Sequence, residues 1–225
     1  MIIAIDGPAG AGKSTVAREV ALALGFAYIN TGAMYRAVAL EARARALDPK
    51  TDEAEIAEIG RTHPMRFGAG GTRLFVGDTD VSDAITAPEM GEAASKVASL
   101  PRLRAEVVAR QHEMGRLAEA ECGGAVLEGR DIQTVVFPDA PLKVFLTATD
   151  EARAQRRIDQ WKQKGHDFDA ERALLDVRER DARDASRDTS PLRPADDAVI
   201  LLSDDLTAEQ VIEQIVNLAR ERMTS

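Results

Sequence analysis

Gly7-Pro8-Ala9-Gly10-Ala11-Gly12-Lys13-Ser14 decides the reading of this chain, because of what stands on either side of it. Before it comes a short apolar run, Ile2-Ile3-Ala4-Ile5-Asp6, and after it comes Thr15-Val16-Ala17-Arg18-Glu19-Val20-Ala21-Leu22. The order is strand, glycine-rich loop, helix, with G-x-x-x-x-G-K-S at the junction. The glycines let the backbone curl until successive N–H groups point inward at a polyphosphate. The first helical turn adds unpaired donors and the positive end of its dipole. Lys13 brings a mobile charge to the outer phosphates, and the Ser14 hydroxyl suits Mg²⁺. Gly7, Pro8, Ala9, Gly10, Ala11, Gly12, Lys13, Ser14 and Thr15 are therefore the expected nucleoside triphosphate site.

Working outward, Leu24-Gly25 stops the first helix and residues 26–30 read as a second strand. Thr31 is the expected N-cap of a helix that runs to about Ala46 and ends before Asp48-Pro49. Thr51 is the expected cap of a short helix with Asp52, Glu53 and Glu55 in its first turn. Met65-Arg66-Phe67, residues 73–76 and residues 79–81 are short strands between Gly-rich turns, which suggests a small antiparallel insert. Helices follow at 88–98 and 101–120, each with Pro in its first turn. Residues 124–128 and 142–146 are buried-strand signals, 150–164 and 169–187 are charged helices, 198–202 is a last strand, and 207–222 is a closing amphipathic helix. Five apolar strands alternating with helices imply an α/β fold with a parallel sheet covered on both faces. Such sheets bind ligands at the carboxyl ends of their strands, where Asp6-Gly7, Asn30-Thr31 and Glu128 fall.

A chain of 225 residues, 44% hydrophobic and 30% charged, can build one full core. No apolar run reaches membrane length, and Asp6-Gly7 interrupts any signal-peptide core, so a cytoplasmic protein without a membrane partner is expected. The single Cys122 leaves no internal disulfide, and His63, His112 and His166 share no ligand spacing. A net charge of −9 argues against a nucleic-acid polymer as partner. Anionic ligands must be met by local arginine clusters.

Phosphoryl transfer needs two phosphorylated reactants held in line inside a shell of cations. Arginine suits the task, because its planar fork grips two oxygens and keeps its proton. Arg153, Arg156 and Arg157 stand at i, i+3 and i+4 on one helix face, and Arg180, Arg183, Asp184 and Arg187 cluster on another. The interleaved Asp159, Glu179, Asp181 and Asp188 would equally suit solvated faces laced with salt bridges, so both readings stay open. Glu128 closes a strand opposite Ser14, as an acid that organises Mg²⁺ through water or as a plain surface acid. Arg130 and Asp131 follow it at the same edge, and Arg36 lies on the helix after the second strand.

The chain resembles the bacterial cytidylate kinases nearly end to end. The likeness is carried by Ile5-Asp6-Gly7-Pro8 through Lys13-Ser14-Thr15, by Asn30-Thr31-Gly32-Ala33-Met34-Tyr35-Arg36, and by Ala93-Ala94-Ser95-Lys96-Val97-Ala98 with Pro101-Arg102-Leu103-Arg104. Gly129-Arg130-Asp131, Thr134-Val135-Val136-Phe137-Pro138 and Arg180-Asp181-Ala182-Arg183-Asp184 with Arg187 complete it. The resemblance implies a three-layer P-loop kinase fold in one domain, 1–225, with a five-stranded parallel sheet. An inserted antiparallel β/α CMP-binding lobe at 62–98 and a helical lid at 150–167 would complete that fold. It implies transfer of the γ-phosphoryl of Mg²⁺-bound ATP to CMP or dCMP, a step of pyrimidine nucleotide metabolism, by a monomer. By position, Arg36, Arg130 and Arg187 would hold the acceptor phosphate, and Asp184 with Arg180 the ribose. Ser95, Arg104 and Asp131 would read the cytosine edge, with Thr31 lining the same pocket. Lys13, Arg130, Arg153, Arg157 and Arg187 would form the catalytic set, and Ser14 and Glu128 the metal site. Three departures stand out: Gln133 replaces the family's usual Gly, Glu128 the commoner Asp, and Thr31 a frequent Ser. A P-loop kinase for AMP, GMP, UMP or shikimate is the nearest alternative. A P-loop regulatory ATPase would not need arginines from four separate segments.

Overall fold

Ile2–Asp6 (β1) is buried along its whole length, and it forms the middle of the main sheet. The structure is a computed structural model that describes residues 1–87, 89–163, 169–187 and 190–224. After β1 come α1 (Lys13–Leu24), β2 (Ala27–Asn30), α2 (Thr31–Ala44), α3 (Glu53–Thr62), β3 (Met65–Phe67), β4 (Leu74–Val76) and β5 (Thr79–Asp80). The chain continues through α4 (Met90–Val97), α5 (Pro101–Cys122), β6 (Ala125–Gly129), β7 (Leu142–Thr147), α6 (Asp150–Gln163), α7 (Ala170–Ala185), β8 (Val199–Leu202) and α8 (Ala208–Thr224).

The five-stranded sheet has the order β2-β6-β1-β7-β8, and every pair in it is parallel. Its central strands can be apolar throughout because helices cover both faces. Val16, Val20, Val211, Ile215 and Ala219 of α1 and α8 close one face. Ala118 of α5 with Ile132, Val136 and Phe137 closes the other. The register aligns Ile5 with Glu128, Asp6 with Gly129, and Asn30 with Glu128. The loops after β1, β2 and β6 therefore leave the sheet at one edge.

The insert is the antiparallel sheet β3-β4-β5 followed by α4. Its core is shared rather than separate: Met65, Leu74, Met90 and Val97 pack with Met34 and Val38 of α2, Ile56 of α3 and Leu103 of α5. Its Gly68–Gly71 turn rests on β2, the border strand of the main sheet. A Cβ on Gly71 (φ 68°) would lie 2.2 Å from the Tyr28 carbonyl oxygen, so only glycine permits that approach. The helices α6 and α7 join through a small cluster of Ala154, Ile158, Ala173 and Val177.

Several local expectations are corrected. Asn30, not Thr31, caps α2, its Oδ1 accepting the Ala33 N–H at 3.0 Å. Thr31 is already in the first turn, and its hydroxyl donates instead to the Glu128 carbonyl at 2.6 Å. Asp52, not Thr51, precedes α3, and its carboxylate accepts from the Asp48 N–H rather than capping the helix. Helix α2 stops at Ala44, short of Ala46, which has φ 55°. Pro88, His166 and Asp188, and the 164–167 end of the expected lid, lie outside the described residues.

Residues Ile132–Val136 form a wide helical turn that no sequence signal announced. Asp6 anchors it, accepting the N–H groups of Ile132 at 3.0 Å and Gln133 at 2.8 Å. Gln133 is not left-handed, so the position does not require glycine, and its buried side chain accepts the Ala195 N–H at 3.1 Å.

Burial pushes the Asp6 carboxyl up to about 6 from 3.8, against the hydrogen bonds from Gln133 and Ile132 that lower it. The folded carboxyl then keeps its proton to higher pH than the unfolded one, so Asp6 costs stability as pH rises from about 4 to about 6. Urea unfolding of Asp6→Asn across that window should show the wild-type minus variant stability falling with pH, by up to roughly 1 kcal/mol per pH unit, and level above it.

Candidate active site

The glycine loop starts under tight constraint. Gly7 (φ 152°) passes so close to β7 that a Cβ would lie 1.9 Å from the Leu146 carbonyl oxygen. From there residues 9–16 line a cavity of about 720 Å³ at the carboxyl edge of the sheet. Gly7 and Pro8 do not line it; the Pro8 carbonyl accepts from the Lys13 ammonium at 2.8 Å. Lys13 is buried, and burial followed by the nearby Arg130 charge holds its pKa well below the usual lysine range.

The cavity draws cations from separate segments: Lys13 of α1, Arg36 of α2, Arg104 of α5, Arg130 after β6, Arg156 and Arg157 of α6, Arg180 of α7, and Arg187. Four carboxylates face these eight cations: Glu128, Asp131, Asp159 and Asp184. The site is thus strongly positive within a chain of net charge −9. Asp184 holds two of the cations, at 2.9 Å from Arg130 Nε and 2.5 Å from Arg187 Nη2. Burial works to raise the Asp184 pKa, but Arg130, Arg187 and Arg180 outweigh it and leave it lowered. Arg36, Arg157 and Arg187 all have lowered pKa values, with burial as the main cause. Arg180 is pushed down to about 9 by burial and then by Arg130. The Nε atoms of Arg157 and Arg180 are buried with no hydrogen-bond partner among the described residues. Buried donors left in that state await an acceptor.

The other end of the cavity is quieter. Asp131 pairs with Arg104 in full burial, and Arg104 also donates to the Ala98 carbonyl at 3.0 Å. Buried Ser95 of α4 lines the same end, and the Arg104 guanidinium lies 5.6 Å from the Tyr35 ring centre. An acid paired with a guanidinium, and the hydroxyls of Ser95 and Thr31, thus belong to residues that line the same cavity. Near the loop, Ser14 and Glu128 present oxygen donors to the cavity. No group of three or more His, Cys, Asp or Glu suited to a metal occurs among the described residues.

Of the residues expected at the site, Gly7, Pro8 and Arg153 do not line the cavity, and Arg153 is the one that carries a charge. It is buried and does not line the cavity. Its guanidinium donates to the carbonyls of Ala148 at 3.1 Å and Ala9 at 3.0 Å and pairs with Asp150 and Asp181. It supports the loop from behind rather than reaching into the site. Arg156 lines the cavity but is engaged with Ser203, 2.6 Å from its carbonyl oxygen. Arg183 is exposed and lies outside the cavity. Sequence reasoning missed Tyr28, whose hydroxyl donates to Glu128 Oε1 at 2.7 Å. The available signal was strand alternation, which puts Tyr28 and Asn30 on the same side of β2.

Comparison with known proteins shows the family. The family model "Cytidylate kinase" matches residues 3–221. A cytidylate kinase of Mycolicibacterium paratuberculosis is 44% identical over 227 residues, covering 99% of this chain and 96% of that protein. One of Klebsiella pneumoniae is 42% identical over 223 residues, covering 99% and 96%. Among solved structures, an uncharacterized protein from Eubacterium ventriosum superimposes with a TM-score of 0.53 at 14% identity, over 98% of both chains, a likeness of fold alone. The chain belongs to the cytidylate kinase family.

Proposed function

We propose that the chain transfers the γ-phosphoryl of ATP to CMP or dCMP, giving ADP and the nucleoside diphosphate. The observation that carries the reading is the pair of buried Nε atoms of Arg157 and Arg180, without a hydrogen-bond partner among the described residues, on side chains lining the cavity that holds Lys13. Neutral or cationic ligands would leave that charge uncompensated, whereas two phosphate chains meeting there would satisfy it.

On this reading the loop amides and Lys13 hold the donor phosphates, with Lys13 exchanging its contact with the Pro8 carbonyl for a phosphate oxygen. Arg36, Arg130 and Arg187 hold the acceptor phosphate in line, and Asp184 keeps Arg130 and Arg187 aimed while meeting the ribose with Arg180. Arg157 faces the charge that builds on the migrating group. Asp131 can accept from the cytosine amino group, while Arg104 and Ser95 serve its ring acceptors. A uracil would set a carbonyl against the Asp131 carboxylate, which disfavours UMP. Ser14 and Glu128 suit Mg²⁺, a hard cation that keeps several waters and takes few protein oxygens. That ion would supply positive charge to the outer phosphates.

The lobe at 62–98 serves as acceptor-binding unit through Ser95, and α6–α7 as the lid through Arg156, Arg157 and Arg180. The working unit on this reading is a monomer. No helix among the described residues is long and apolar enough to cross a membrane, and a cytoplasmic location belongs to the proposal.

An ADP-release assay with CMP, dCMP, UMP, AMP, GMP and shikimate as acceptors tests the reading. Turnover should be confined to the cytidylates or strongly favour them, and preferential use of AMP or shikimate would overturn it. Arg130→Ala should lower kcat/KM for CMP by about 10²-fold or more, with ATP affinity nearly unchanged by calorimetry. Lys13→Met should cut kcat by roughly 10²–10³-fold, as for loss of one charge-stabilising donor, in single-turnover measurements.

A further inference from the structure

Tyr28 is a buried polar group with no part in the mechanism above. Its ring lies in the core between α1 and the sheet, and its hydroxyl reaches the carboxyl edge to donate to Glu128 Oε1. Two features fix it there. The Gly68–Gly71 turn of the insert lies against it: a Cβ on Gly71 would be 2.9 Å from Tyr28 Cδ1 as well as 2.2 Å from the Tyr28 carbonyl oxygen. Ser14 and Asn30 are in reach to donate to its oxygen.

A glutamate at this strand end is long enough to meet the phenol, and it brings one more rotatable bond than aspartate would. With Oε1 accepting from Tyr28, the carboxylate's rotation is restricted, and Oε2 remains as the second acceptor of a residue that lines the cavity. The phenol oxygen meanwhile lies between the only two groups assigned to the metal, Ser14 and Glu128. We infer that Tyr28 is a positioning residue that locks Glu128 toward Ser14, so that the two act as one site for the divalent cation of the bound nucleotide. The inference rests on the proposed role of Glu128 in holding that cation through water. Groups that orient a metal's ligands in this way typically govern 10–100-fold in metal affinity.

The test uses the full chain as Tyr28→Phe, which removes only the hydroxyl, with a thermal melt to verify folding. ATP binding is measured by calorimetry across a Mg²⁺ series, and Mn²⁺ binding to the protein–ATP complex by electron paramagnetic resonance. The cation concentration giving half of the metal effect should rise about tenfold, while metal-free ATP affinity and the KM for CMP stay within twofold. Glu128→Asp, whose carboxylate retreats from the phenol, should show a similar shift, and adding Tyr28→Phe to it should change little more. A Tyr28→Phe chain that follows wild type while Glu128→Gln shifts would overturn the role of Tyr28 alone. A Glu128→Gln chain that also follows wild type would overturn the metal reading beneath it. Should Tyr28→Phe melt below the assay temperature, Glu128→Asp decides: no shift in its metal dependence would reject the lock.

Discussion

Mutual repulsion among buried guanidinium groups is the constraint on which this structure turns. Two unit charges about 5 Å apart repel by roughly 3 kcal/mol at an effective dielectric of 20, and the cavity gathers eight cations. The fold offsets part of this locally. Asp184 compensates Arg130 and Arg187, and Asp131 compensates Arg104. Arg157 and Arg180 keep buried nitrogens without a hydrogen-bond partner among the described residues, although Asp176 eases the burial of the first. The site is preorganised for negative charge at a cost that the rest of the protein must carry.

The sheet edge makes that concentration possible. Parallel pairing puts the ends of β1, β2 and β6 level with one another, and short polar links then join the loops leaving them. Asp6 grips the turn after Arg130-Asp131, and Thr31 ties the start of α2 to the end of β6. Tyr28 does the same from strand to side chain. Each link is buried, where a hydrogen bond is strong and its absence expensive. Arg153 extends the scheme to the helices, joining α6 to the glycine loop and to Asp181 of α7.

Most of the sheet was legible in the sequence, because its strands are short apolar runs bounded by glycine, proline or an acid. The glycine loop was legible because the residue types and their spacing carry the mechanism. Arg153 shows where such reading stops: helical spacing tells which residues share a face, but not that the neighbour of one is a loop carbonyl and the neighbour of another a cavity. Asn30 and Thr31 are both competent caps, and only the path of the chain from β2 chooses between them. The 132–136 turn has no local signature at all, since its anchor, Asp6, lies 126 residues away. Tyr28 read as an ordinary strand residue because its partner also lies far along the chain.

The two borders of the main sheet are unlike. Along β2 the Gly68–Gly71 turn shields the outermost backbone, whereas β8 ends the sheet on the other side and leaves Ile200 and Leu202 more than half exposed. A strand at the border of a sheet, bearing exposed apolar side chains and paired on one side only among the described residues, invites an extra strand from another chain. Self-association through strand addition, in a crowded or partly unfolded population, would therefore begin at the C-terminal border, remote from the insert that guards the other.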